Sequence, residues 1–96
     1  MRLEWDDVKN RRNREKHGIS FEEVRHLFTS GVESLEIFDV EHSEDEDRFI
    51  VIGPTERGVV VVVYAQGDDD VIRLIGARFA TKSEEVLFTR YWARPV

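Results

Sequence analysis

The chain contains no cysteine, which excludes disulfides and every metal or catalytic site built on a thiolate. It has no apolar run approaching the roughly 18 residues that a membrane helix needs. Its opening, Met-Arg-Leu-Glu-Trp-Asp, lacks the hydrophobic segment of a secretory signal, so a cytoplasmic location is expected. Internal repeats, linkers and low-complexity tracts are absent apart from an acidic turn at residues 42–47. The histidines His17, His26 and His42 show no metal-ligand spacing. The run Glu-His-Ser-Glu-Asp-Glu-Asp at 41–47 lacks the glycine and the closing carboxylate of a calcium loop. No metal and no other cofactor is expected.

One absence is regional. Residues 31–47 carry eight acidic side chains and no basic one, whereas residues 1–30 and 48–96 each carry seven Lys/Arg against six Asp/Glu. The net charge of −6 therefore belongs to a single stretch, and an acidic pI does not exclude nucleic acid. Within the first segment, residues 9–17 (K-N-R-R-N-R-E-K-H) form a strongly basic run. Segregated charge of this kind points to one surface built for an anion. The acidic stretch reads as a solvated strand and turn, or as a surface that repels an anionic ligand from the wrong face and receives a basic region of a partner.

Ninety-six residues suit one domain spanning 1–96, burying roughly 60–70% of its unfolded surface. Residues 3–5 are a short apolar opening that adds an edge strand or packs on the sheet. Asp6 or Asp7 can cap a helix over the basic run, which has almost no apolar stripe. Lys9, Arg12 and Lys16 fall at i, i+3 and i+7, along one side, with Asn13 beside them. Gly18 is free to close the helix in the left-handed conformation. Ser20-Phe21-Glu22-Glu23 is a capping box for a second helix that buries Phe21, Val24, Leu27 and Phe28 and ends at Gly31.

From residue 35 the period becomes that of strands, expected at 35–41, 48–52, 59–65 and 71–79. Short connections rich in Gly, Pro and Asp make the last three antiparallel neighbours. Five consecutive valines at 59–63 suit a central strand covered on both faces. Thr81-Lys82-Ser83-Glu84 repeats the capping box before a last helix carrying Val86, Leu87, Tyr91 and Trp92 at helical spacing. The expected class is α+β, with two N-terminal helices, a four-stranded antiparallel sheet and a C-terminal helix.

Several separated blocks resemble one family. Glu4-Trp5-Asp6, Lys9, Asn13 and the run from Lys16 to Glu23 (K-H-G-I-S-F-E-E) look like the first half of the BrnT toxins of bacterial type II toxin–antitoxin pairs. Residues 48–53 (R-F-I-V-I-G), the apolar strand ending in Tyr64, residues 73–78 (R-L-I-G-A-R) and Ala80-Thr81 resemble the second half in order and spacing. The chain departs from the pattern at Asp7-Val8, where Pro-Ala is usual, and at Gly76, where Ser is common.

The resemblance implies a RelE-like, metal-independent endoribonuclease that inhibits translation. It also implies neutralisation by a cognate BrnA-type, DNA-binding antitoxin, with promoter DNA reached only through that complex. RNA cleavage without metal needs a base near the 2′-hydroxyl, cations around the phosphate and a proton donor for the leaving 5′-oxygen. Lys16, His17, Arg48, Arg73, Arg78 and Tyr64 supply those types, as catalytic candidates. Lys9, Arg12 and Asn13 form a candidate phosphate track, with Glu4 and Trp5 placed to position a base.

Each residue also has a plainer reading. His17 before Gly18 can cap the helix through its orphan carbonyls, Trp5 can anchor the core, and the arginines can pair with the acidic turns. Arg73 and Arg78 are an odd number apart and fall on opposite faces of a regular strand. Either Gly76 marks a bulge that restores a common face, or only one arginine belongs to the site. The rival function is a toxin-like binding module that forms a repressor complex with its antitoxin without cleaving RNA; a nuclease using acidic clusters and a metal is a third.

Overall fold

The computed structural model describes residues 1–39, 46–67 and 69–93. Along them run β1 (Arg2–Glu4), α1 (Asp7–His17), α2 (Phe21–Val24), α3 (His26–Thr29), β2 (Leu35–Phe38), β3 (Arg48–Thr55), β4 (Gly58–Gln66), β5 (Val71–Phe79) and α4 (Lys82–Ala93). The sheet has the order β1-β5-β4-β3-β2. The valine run lies in β4, the middle strand, as its β-branched, two-sided apolar character requires. Val60, Val62 and Tyr64 on one face of β4 pack against Ile19, Phe21, Val24 and Leu27 to form the main core. On the other face Val61, Ile52 and Ala65 are buried as well, where α4 packs against β3.

The sheet is five-stranded and mixed, not four-stranded and antiparallel. β1 pairs with β5 in parallel, Leu3 beside Ile72 and Glu4 beside Arg73. The expected second helix is two short ones, since the helical hydrogen bonding breaks at Arg25, whose N–H donates to the Glu22 carbonyl instead of one turn back. Val86 and Leu87 of α4, expected at helical spacing with Tyr91, are exposed. The expected strand residues 40–41, most of the acidic turn and the Trp92 side chain lie outside the described residues.

The local signals explain the elements that match. Asp6 caps α1 by accepting from the amides of Val8 (2.8 Å) and Lys9 (3.3 Å). Gly18 closes it at φ 72°, its N–H donating to the Arg14 carbonyl. Ser20 and Glu23 form the reciprocal capping box of α2, and Thr81 and Glu84 form another at α4. At Gly53 in β3 the absence of a side chain lets α3 approach: a Cβ there would stand 2.5 Å from Leu27 Cδ2.

β5 is interrupted where the two sheet faces need reconciling. Val63 faces Gly76, but Tyr64 faces Leu74, so Ile75 is an extra residue with no partner of its own. The bulge inverts the alternation of side chains beyond it. Arg73 and Arg78, opposite Ala65 and Val61, consequently share one face, the face that Arg48 joins from β3 by also pairing with Ala65.

Candidate nucleic-acid interface

The basic helix α1 cannot dock by hydrophobic burial, since its one buried residue is Asn13. Asn13 docks it by hydrogen bonds. Its Nδ2 donates to the carbonyls of Ile19 (2.9 Å) and Ala77 (2.7 Å), and its Oδ1 accepts from the Ala77 N–H at 3.0 Å. The carboxamide thereby occupies the edge of β5 beyond the end of β1, where a further strand would pair. Arg57, in the turn between β3 and β4, holds the far end of the helix: its guanidinium donates to the Gly18 carbonyl (2.6 Å), pairs with Glu23 (2.9 Å) and lies 5.2 Å over the Phe79 ring.

These contacts fix the direction and roll of α1. Its C-terminus meets the Phe79 end of β5, so the helix runs parallel to that strand. A rise of 1.5 Å per helical residue sets Lys16 about 4.5 Å beyond Asn13, and Arg78 is about 3.3 Å beyond Ala77. By these rises the two fall at about the same level. Asn10, one flank of the helix, bonds Glu22 (2.6 Å) and the Phe21 amide (2.8 Å) on the core side of the sheet. Helical spacing places Lys9, Arg12 and Lys16 on the other flank, toward the face that carries Arg78. His17 lies on the Asn10 flank, half-buried in the last turn.

Arg78 meets Glu84 in a two-pronged ion pair, Nη1 to Oε1 at 2.7 Å and Nη2 to Oε2 at 2.8 Å. Glu84 also accepts from the Thr81 amide at 2.8 Å. The hydrogen bonds from Arg78, with that amide and the guanidinium charge, hold the Glu84 carboxyl down to about 2. Arg78 directs two N–H donors at Glu84 and a third, at 3.4 Å, at the Phe79 carbonyl, which leaves two of its five for a phosphate. Glu84 escaped notice in the sequence except as a capping residue.

The remaining candidates lie elsewhere. Arg73 pairs with Glu46 and, with Glu4, Glu46 and Asp69, lines a cleft of about 170 Å³; three carboxylates around one guanidinium make this end of the face repel a phosphate. Glu4 belongs to the same cleft. Arg48 is opposite Ala65, two strand spacings (about 10 Å) from Arg73 and about 13 Å along the sheet from Arg78. Trp5 packs edge-on against Phe21 at 6.0 Å with Arg25 5.9 Å from its ring centre, as a core anchor does. Tyr64 is on the opposite face of the sheet from the arginines. Its hydroxyl donates to Glu36, its ring stacks on Phe49 at 5.4 Å, and burial followed by that carboxylate pushes its pKa well above the ordinary phenol value. A second cleft, of about 460 Å³, is lined by Glu23, His26, Thr55, Glu56 and Arg57 and contains none of the sequence candidates.

A family model described as "Ribonuclease toxin, BrnT, of type II toxin-antitoxin system" matches residues 5–84. Among solved structures the fold is similar to the 1.1 Å crystal structure of the Brucella abortus ribonuclease toxin BrnT, at 20% sequence identity. The match covers 85% of this chain and 99% of that one with a TM-score of 0.62. No curated protein gives a significant match.

Proposed function

The chain belongs to the BrnT family of ribonuclease toxins of type II toxin–antitoxin systems, and from that premise we propose that it is a metal-independent endoribonuclease whose RNA-binding face lies between α1 and the end of β5. A BrnA-type, DNA-binding antitoxin neutralises it in the cytoplasm, and it reaches promoter DNA only within that complex. The observation that carries the reading is the Asn13 clamp on Ala77, which together with the extra residue Ile75 in β5 turns Lys16 and Arg78 toward a common side of the sheet by helical and strand spacing.

Lys9, Arg12 and Lys16 hold successive phosphates of the RNA backbone. Arg78, presented by Glu84, faces the scissile phosphate and stabilises the charge that builds on its oxygens. The 2′-oxygen attacks phosphorus as its proton passes to a base, and the 5′-oxygen leaves as it receives a proton. Lys16, at the end of α1 on the flank toward Arg78, fills a proton-transfer role, while His17, on the Asn10 flank, stays outside the reaction. Arg48 and Arg73 lie too far along the sheet to share that phosphate, and Arg73 is held among the carboxylates of its own cleft. Tyr64, Trp5 and Asn13 act through the fold and not on RNA.

The pairing of Arg73 with Glu46 and of Arg78 with Glu84 favours one rival, a binding module whose arginines are structural. Incubating the purified chain with RNA in EDTA separates the two. Cleavage by the wild-type protein, lost in Arg78→Ala while antitoxin binding persists, is the expected result. Absence of cleavage by a wild-type protein that binds its antitoxin would establish the binding module, and cleavage only with added divalent ion would establish a metal-dependent nuclease.

A further inference from the structure

Among the described residues, the sheet ends at β2 in an open edge. β2 is the outermost strand of the sheet, joined to β3 with Leu35 opposite Ile52 and Phe38 opposite Phe49. The Asp39 N–H donates to the Arg48 carbonyl at 2.8 Å. In an antiparallel ladder the backbone groups of alternate residues point inward, so Ile37 and Leu35 share that direction with Asp39. The N–H and C=O of Glu36 and Phe38 therefore point away from β3.

Side chains repeat the pattern. Phe28 meets Tyr64 at 5.1 Å, Tyr64 stacks on Phe49 at 5.4 Å, and Phe49 meets Phe38 at 5.3 Å. This aromatic row crosses β4, β3 and β2 and stops at Phe38, which is 46% exposed. On the other face of the strand Ile37 is 37% exposed. Exposed apolar side chains on an open edge form a template for another strand.

We propose that the outer edge of β2 takes a basic, extended segment of the antitoxin as a sixth strand, paired through the backbone of Glu36 and Phe38 and continuing the aromatic row with an apolar side chain beside Phe38. Charge decides the occupant. Glu33, Glu36 and Asp39 lie in β2 or within two residues of it, and residues 31–39 contain no basic side chain. A second copy of the chain on this edge would bring two such acidic strands together, whereas a basic segment finds its complement. The proposal rests on the antitoxin partner stated above and is independent of catalysis, since Glu36 and Phe38 lie on the sheet face opposite Arg78.

Amide hydrogen exchange on the labelled chain tests it, alone and with the protein encoded by the adjacent reading frame of its operon, co-expressed as the probe. The Glu36 and Phe38 amides exchange fast in the free chain and slow by about tenfold or more in the complex, while the Leu35 and Ile37 amides are protected in both. Phe38→Lys weakens the complex by roughly tenfold or more and leaves RNA cleavage by the free chain unchanged. Ile37→Lys, at a more peripheral side chain, gives a second measure should Phe38→Lys disturb packing on Phe49. Unchanged exchange at Glu36 and Phe38 with the partner at saturation overturns the proposal, as does protection in the free chain that grows with its own concentration. Slowed exchange together with an inactive wild-type protein would refute the nuclease reading and leave the docking strand standing.

Discussion

Replacing Asn13 with Ala should detach the basic helix from the sheet. The side chain makes three hydrogen bonds in buried surroundings, two to Ala77 and one to Ile19. Each contributes roughly 0.5–1.5 kcal/mol net, and a buried backbone group left without its partner costs about 1–3 kcal/mol. The loss is therefore about 3–5 kcal/mol, a large fraction of the 5–15 kcal/mol typical of a small domain. The other anchors of α1, Asn10 on Glu22 and the Phe21 amide and Arg57 on the Gly18 carbonyl, are exposed or partly buried and offset little of it. For a domain of this size each kcal/mol lowers Tm by roughly 4–8 °C, so a fall of at least about 12 °C is expected in a thermal melt. Val8→Ala, at a side chain 48% exposed on the same helix, is the control and should change stability by less than about 0.5 kcal/mol. Asn13→Asp sharpens the test: its carboxylate would face two carbonyl oxygens, so folding raises its pKa. That variant is most stable below the ordinary carboxylate range and loses stability as pH rises through the raised folded value. An Asn13→Ala protein melting within about 4 °C of wild type would refute the clamp.

Two further substitutions bear on the same face. Glu84→Gln removes a carboxylate whose pKa is held at about 2 by Arg78; because the folded value is depressed, wild type should exceed the variant in stability above about pH 4.5, and the gap should close as pH falls toward 2, followed by urea melts at several pH values. Tyr64→Phe deletes the hydroxyl bonded to Glu36, and should cost about 1 kcal/mol in urea denaturation while leaving RNA cleavage and its pH profile unchanged; a large loss of cleavage would return Tyr64 to the reaction.

Short-range signals carried most of the elements. The valine run places β4 at the centre, and the capping boxes at Ser20 and Thr81 and the left-handed Gly18 set helix ends within a few residues, since each depends on neighbours in sequence. The parallel pairing of β1 with β5 joins residues at opposite ends of the chain and leaves no local signature. The site divides the same way. The odd separation of Arg73 and Arg78 leaves either a bulge at Gly76 or only one arginine in the site, and that a bulge is present with Ile75 as the extra residue emerges only from the register with β4. Asn13 reads as one more polar residue in a basic helix, and only the approach of Ala77 makes it the clamp. The Arg78 partnership with Glu84 is likewise hidden, because the turn at residues 80–81 decides whether the helix end swings back to the strand.

The central claim is that Lys16 and Arg78 act on one phosphate, and a double-substitution cycle on single-turnover RNA cleavage in EDTA tests it most directly. Groups that work as a unit are strongly non-additive. Lys16→Ala and Arg78→Ala should each slow cleavage by roughly a hundredfold or more, and the double variant should be little slower than the worse single one. Losses that multiply in the double variant, or a single variant that cleaves at the wild-type rate, would contradict it.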